Sequence, residues 1–252
     1  MQNRYVGDIG DFGKYGLLKS AFSTKQLRLG VNWYLTDPNE LKETSRNDGQ
    51  YTEYEELKNC DVDLYNTLQS LIKENKRTIE EVENRNIFPK DNTIFYNNQL
   101  SFNGVSGIEA RSKKRKDWEE SGLQVLKDSQ VVFFDPDNGL EVKSHSKTSI
   151  KGIKYVFYGE VVRYYEKQKS LIIYQHWDKR IKDSEYRKRI MTIYNHVKMV
   201  QEIFYLMWNP FPQRCYVFIL QEPHKELIMP EIEKIISGKW KGCFSDPHFL
   251  RK

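Results

Sequence analysis

Forty Lys and Arg residues against 35 Asp and Glu give this chain of 252 residues a formal charge of +5. The length suits one large domain or two small ones and is enough to bury a substantial core. With 38% apolar and 13% aromatic residues, disorder is excluded, and no apolar run reaches the roughly 18 residues that a membrane-spanning helix needs. The opening MQNRYVGDIGDFGKYG lacks the apolar core of a secretory signal. Cys60, Cys215 and Cys243 form no CxxC pair, which excludes a zinc knuckle or a redox dithiol. Reduced thiols in the cytoplasm are therefore expected. The mild positive charge permits a polyanionic partner without requiring one.

In chain order, 29–35 (LGVNWYL) is expected to be a buried strand stopped by Asp37-Pro38-Asn39. The polar stretch 36–61 opens an insertion reaching about residue 92 within a single α/β domain spanning 1–252. One helix is predicted over 62–85, with Leu64, Leu68, Leu71 and Ile72 on one face, and a short strand over 93–97. A charged helix follows at 112–127, with Trp118, Leu123 and Leu126 inward. QVVFF at 130–134 is the clearest strand, ended by Asp135-Pro136-Asp137-Asn138-Gly139. Then come a helix over 153–168, a strand over 170–175, a helix over 181–202, and two strands, 203–208 and 215–220. Asn209-Pro210-Phe211-Pro212 joins these last two as an antiparallel hairpin. Apolar strands alternating with helices predict a Rossmann-like α/β sheet, mostly parallel, that ends in this hairpin; class I methyltransferase sheets end so, and other α/β folds also carry an antiparallel edge.

Three segments carry candidate chemistry. In Gly7-Asp8-Ile9-Gly10-Asp11-Phe12-Gly13-Lys14-Tyr15-Gly16, a glycine falls at every third position, with two acids and a lysine between. The spacing fits either a ligand-contacting loop that enters a helix at Lys14 or a glycine-rich turn packed against the sheet. Three acids, Asp135, Asp137 and Glu141, follow the clearest strand, where open α/β sheets bind ligands. His176 lies at the end of the strand over 170–175 and is a candidate acid, base or ligand contact. The other four histidines stand singly and are expected to be surface or structural. Arg111 to Lys116, above all Lys113, Lys114 and Arg115, forms a basic run suited either to phosphates or to a solvated helix face. Arg187, Lys188 and Arg189 make a second basic patch.

Taken together, the opening and the Asp135-Pro136 turn resemble the bacterial 23S rRNA adenine-N6 methyltransferases of the RlmJ type. Gly7, Asp11 and Lys14 match that family's opening in register, and Tyr15 stands in place of its histidine. The resemblance implies an S-adenosylmethionine site beside Gly7, Asp8, Asp11, Lys14, Tyr15, Asp37 and Asp135. It also implies an aspartate, Asp135, that binds the amine of a flipped adenine, with Pro136, Asn138 and His176 toward the substrate. Two departures stand out. Asp137 and Asn138 replace the second proline and the stacking aromatic, and Thr36-Asp37-Pro38-Asn39 replaces a glycine-rich turn. The strings GDIGDFGKYGLL and FFDPDNGLE also look like those of an uncharacterised bacterial family.

Three functions follow as expectations. The first is an S-adenosylmethionine-dependent methyltransferase acting on nucleic acid, with Asp135, Asp137 and Lys14 as catalytic residues. The second is a Mg²⁺-dependent nuclease or phosphohydrolase that gathers Asp8, Asp11, Asp135, Asp137 and Glu141 around the metal. Its Glu141-x-Lys143 order is similar to that of the PD-(D/E)xK nucleases in those letters alone. The third is a methyltransferase-like fold that has lost catalysis and serves as a binding module.

Overall fold

Every residue of β3 (Val131–Phe134) is buried, and so are all four residues of β1 (Leu29–Asn32) beside it. Strands buried on both faces must be covered by helices on both sides, which is why their sequences show no polar alternation. The computed structural model describes residues 1–42, 49–200 and 202–251. α1 (Ile9–Ala21) precedes β1, and α2 (Val62–Lys73), α3 (Ile79–Asn84) and β2 (Thr93–Tyr96) follow it. α4 (Ile108–Val125) leads into β3, after which β4 (Gly139–Leu140) and β5 (Tyr155–Val156) form a small parallel pair. α5 (Tyr158–Glu166), β6 (Ser170–His176), α6 (Asp183–His196), β7 (Ile203–Trp208), β8 (Arg214–Ile219), α7 (Glu222–Ser237) and β9 (His248–Leu250) complete the chain.

The seven-stranded sheet runs β2-β1-β3-β6-β8-β7-β9. β2, β1, β3 and β6 are mutually parallel, whereas β8 runs antiparallel to both β6 and β7, and β9 antiparallel to β7. This is the expected Rossmann-like sheet with the expected β7–β8 hairpin, extended at its edge by β9, a strand that the sequence did not predict. Side chains alternate between two cores. Val131, Phe133 and Ile172 face α1 and α2, while Val132, Phe134 and Ile173 face α5 and α6. The chain leaves β1 toward β2 on one side, and β3 lies on the other. The carboxyl ends of β1 and β3 therefore flank the point where strand order reverses. Among the described residues no helix is long and apolar enough to cross a membrane.

Several elements depart from the sequence expectation. The helix expected over 62–85 is two helices, α2 and α3, separated by a turn in which Asn75 takes a left-handed φ of 56°. With β2 they form the crossover between parallel β1 and β2, and this occupies most of the segment expected as an insertion; residues 43–48 of it lie outside the described residues. The helix over 153–168 starts only at Tyr158. Before it, β5 pairs with β4, and the Glu160 carboxylate accepts the Phe157 N–H at 3.0 Å to cap the helix. The helix over 181–202 stops at His196. Cys60 and Cys243, far apart in sequence, bring their sulfurs to 3.8 Å; all three cysteines are free thiols.

The glycine-rich opening is not a loop. α1 begins at Ile9, capped by the Asp8 carboxylate, which accepts the Asp11 N–H at 2.7 Å. Gly10, Gly13 and Gly16 then fall one turn apart on the face that meets the sheet. A Cβ at Gly13 would come within 2.6 Å of the Trp208 ring, and one at Gly16 would collide with Trp240. The period of three is thus a packing stripe that lets α1 lie directly on two indoles. Gly7, at φ 84°, makes the turn into the helix, and its carbonyl accepts the Tyr54 hydroxyl at 3.0 Å.

Candidate functional site

Docking α1 on the sheet carries its polar residues to the carboxyl ends of β3 and β6. Lys14 Nζ lies 2.7 Å from Asp11 Oδ1 and 2.7 Å from Asp135 Oδ2, and all three side chains are buried. A lysine from the first helix is therefore shared between its own helix and the end of β3, 121 residues away. Burial alone would depress the pKa of the Lys14 ammonium, but Asp11 and Asp135 outweigh it and raise the pKa above its ordinary value. Tyr15 is fully buried and donates its hydroxyl to Asp11 Oδ2 at 2.8 Å.

A second cluster adjoins the first. The Met1 ammonium donates to the carbonyls of Tyr34 and Asp135 at 3.0 and 2.9 Å and pairs with Asp137 Oδ1 at 2.9 Å. Gln2 donates to Asp137 Oδ2 at 2.7 Å, and Lys154 lies 3.7 Å from the same oxygen. Burial would push the Asp137 carboxyl up, but the Met1 ammonium and Lys154 outweigh it and hold it below the usual range. Both clusters border a cavity of about 380 Å³. Asp8, Lys14, Asp135, Tyr174 and Arg214 form its buried floor. Its rim carries Asn138, His176, Arg180, Tyr51 and Phe211, the last two 50% and 58% exposed. The rings of Tyr51 and Phe211 meet edge-to-face at 5.5 Å, and Lys179 Nζ stands 5.9 Å from the Phe211 centroid.

Burial raises the pKa of both floor carboxyls, Asp8 and Asp135, and Asp8 is brought near neutrality. Burial, reinforced by Asp11, overcomes the attraction of Arg214 and lifts its pKa from 3.8 to about 6. A carboxyl in that range gives and takes a proton near neutrality. The folded chain then holds a proton on Asp8, between about pH 4 and 6, that the unfolded chain has released. Stability due to this group therefore falls as pH rises through that window. Asp8→Asn keeps the helix cap and removes the titration. Its melting temperature is expected to fall less than the parent's between pH 4 and 7; an identical slope would refute the assignment.

The structure brings together Asp8, Asp11, Lys14, Asp135, Asp137, Pro136, Asn138 and His176, all in or beside this cavity. It does not bring Asp37, Glu141, Lys113, Lys114 or Arg115 there. Asp37 accepts the Asn39 N–H at 2.8 Å in a turn and lines a separate groove. Glu141 accepts the Tyr158 N–H at 2.8 Å at the start of α5, away from the four aspartates. Lys113 is exposed and paired with Asp117 on α4, and Lys114 lines a groove with it, beyond the end of β2. Arg115 is buried and engages Glu160 Oε1 at 2.6 Å together with the carbonyls of Gly152 and Tyr155, so it reaches no phosphate. The sequence reading missed Arg214, Tyr51 and Phe211. Arg214 had a signal, being a lone charge at the head of a wholly apolar strand.

Neither expected cofactor is matched by these residues. Among the described residues no group of three or more His, Cys, Asp or Glu side chains is placed to hold a metal ion. Lys14, Met1 and Lys154 already neutralise Asp11, Asp135 and Asp137. A methyl donor laid over the ends of β1 and β3 would need the space where the Met1 ammonium binds Tyr34 and Asp135. Residues 33–42, directly after β1, contain no glycine and start no helix, and Asn97 and Asn98 follow β2 where an acid for a ribose would stand. S-adenosylmethionine does not fit that crevice as it is filled here. Comparison with known proteins finds no family model that matches the chain and no curated protein that does.

Proposed function

We propose that this chain is a nucleic-acid-binding protein on a methyltransferase-type sheet, and that a nucleotide enters the cavity at the ends of β3 and β6. The observation that carries this reading is the pairing of a charged, buried floor with a rim of exposed aromatic and basic groups. Tyr51 and Phe211 offer ring faces to a base, and Arg180 and Lys179 stand beside them for the backbone. Stacking on aromatics is tolerant of sequence and contributes roughly 1–3 kcal/mol per base, while the basic groups add a salt-dependent attraction. The two exposed rings take the place of the aromatic that Asn138 does not supply.

Fluorescence anisotropy with labelled single-stranded RNA and DNA tests the proposal. Binding is expected, weakening as salt rises. The double variant Tyr51→Ala/Phe211→Ala is expected to lose about ten-fold or more in affinity, since each lost stack counts for roughly 1–3 kcal/mol. Both side chains are exposed, so the fold should tolerate the change. No binding at low salt, or parent-like binding by the double variant, would reject the reading. Methyl transfer is the second reading, favoured by the position of Asp135-Pro136 at the end of β3. It requires Met1 to leave the crevice, and a melting-temperature shift with S-adenosylhomocysteine would support it over the first.

A further inference from the structure

Among the described residues, Arg214 is the cation on the cavity floor that no carboxylate contacts. Lys14 is spent on Asp11 and Asp135, and Met1 and Lys154 on Asp137. Arg214 is 6% exposed, and its Nε donates to the Pro212 carbonyl at 3.3 Å. Its two terminal nitrogens have no acceptor among the described residues, and it forms no ion pair there. Asp8 and Asp11 offset part of this charge at a distance, but the terminal nitrogens keep hydrogen-bonding capacity that a ligand can use.

The surroundings hold this guanidinium in place. It lies against α1 at Gly10, where any Cβ would collide with its Nη1 and Nη2. The Tyr174 ring backs it, 5.8 Å from Cζ to centroid. His176 stands opposite it in the β6–β8 ladder and also lines the cavity. The stripe residue Gly10 therefore has a role that Gly13 and Gly16 do not share: it makes room for a charge rather than for an indole.

We propose that Arg214 is the receptor for a phosphate monoester, either on a mononucleotide or on the end of a strand, with the phosphate on the floor and the base toward Tyr51 and Phe211. A planar guanidinium with two unspent nitrogens matches two oxygens of one phosphate. The cavity, about 380 Å³, falls within the range of small-ligand sites. Asp8 is the carboxylate facing Arg214 without contacting it. When protonated it donates a hydrogen bond to a phosphate oxygen, and when ionised it repels one. The inference deepens the nucleic-acid reading, from which it takes the aromatic rim.

Calorimetry with inorganic phosphate, adenosine, adenosine 5′-monophosphate, and matched oligonucleotides with 5′-phosphate or 5′-hydroxyl ends provides the test. Phosphate and the monophosphate should bind, and adenosine should bind at least about ten-fold more weakly, as expected when charge-assisted hydrogen bonds are lost. Preference for the 5′-phosphate oligonucleotide over the mononucleotide would make the strand end the source; the reverse preference would make it the free nucleotide. Arg214→Gln should erase the phosphate discrimination, and Asp8→Asn should keep or strengthen it. If Arg214→Gln fails to fold, the parent comparisons and Asp8→Asn still decide. Equal binding of adenosine and its monophosphate, or no binding of either, would overturn the proposal. Oligonucleotides that bind equally with either end would overturn it while leaving the nucleic-acid reading standing. Phosphate and monophosphate binding without any oligonucleotide binding would do the opposite.

Discussion

Lys14→Met is expected to destabilise the fold by about 3–5 kcal/mol, the usual cost of breaking a buried ion pair from one side. The methionine fills most of the lysine's volume, so the loss would not come from a cavity. It would come from Asp11 and Asp135, which would stay buried without the ammonium that lies 2.7 Å from each. A loss of that size is a large fraction of the stability of a typical domain. The pH dependence separates this cause from ordinary packing damage. Burial already holds the Asp135 carboxyl above its ordinary range, and losing Lys14 pushes it higher still, so the deficit is greatest at neutral pH and shrinks as pH falls toward 4. Asp135→Asn added to Lys14→Met should recover part of the loss, because one of the stranded charges is gone. Urea unfolding of the parent and both variants at pH 5 and 7 measures this. A deficit independent of pH, with no recovery in the double variant, would mean that Lys14 acts through shape alone.

Much of the sheet was legible in the sequence. β3 and β6 are continuous apolar runs ended by turn residues, and the Asn-Pro-Phe-Pro link announced the β7–β8 hairpin. The placement of Asp135 at a strand end followed directly. α1 was harder, because three glycines lower helix propensity enough to suggest a loop. What stabilises the helix is non-local: Trp208 and Trp240, 195 and 224 residues onward, supply the flat surfaces that Gly13 and Gly16 meet. The end of α2 was masked similarly, since its apolar period runs on past the left-handed Asn75. The site was legible on its acidic side only. Asp8, Asp11, Lys14 and Asp135 were visible as a motif, yet the sharing of Lys14 between α1 and β3 depends on tertiary docking. Arg214, Tyr51 and Phe211 belong to no motif, and only the fold brings them to the same cavity.

Arg115→Ala is expected to cost about 3–5 kcal/mol as well, and for the same physical reason. The basic run that includes it suggested a phosphate grip, but its helical spacing held a contrary signal. Arg115, Trp118, Glu119 and Gly122 fall at the intervals of one buried stripe and are all buried on α4. Arg115 donates to both Glu160 oxygens at 2.6 and 3.1 Å, to the Gly152 carbonyl at 3.0 Å and to the Tyr155 carbonyl at 2.8 Å. The Phe157 ring lies 4.6 Å from its Cζ. Glu160 in turn accepts the Tyr34 hydroxyl at 3.1 Å, so one arginine links α4, β5, α5 and the exit of β1. Removing it strands Glu160 and leaves three carbonyls, those of Lys147, Gly152 and Tyr155, without this donor. Lysine cannot substitute, because a single ammonium cannot reproduce the fork. Arg115→Lys should therefore be destabilised too, while Arg115→Ala/Glu160→Gln should be less damaged than Arg115→Ala. The folded fraction of each variant should bind phosphate and oligonucleotides as the parent does, because the cavity at Arg214 does not include this network. Thermal melts paired with anisotropy decide the point. If Arg115→Ala kept the parent's stability but lost nucleic acid, the basic run would be the binding surface and Arg115 its centre.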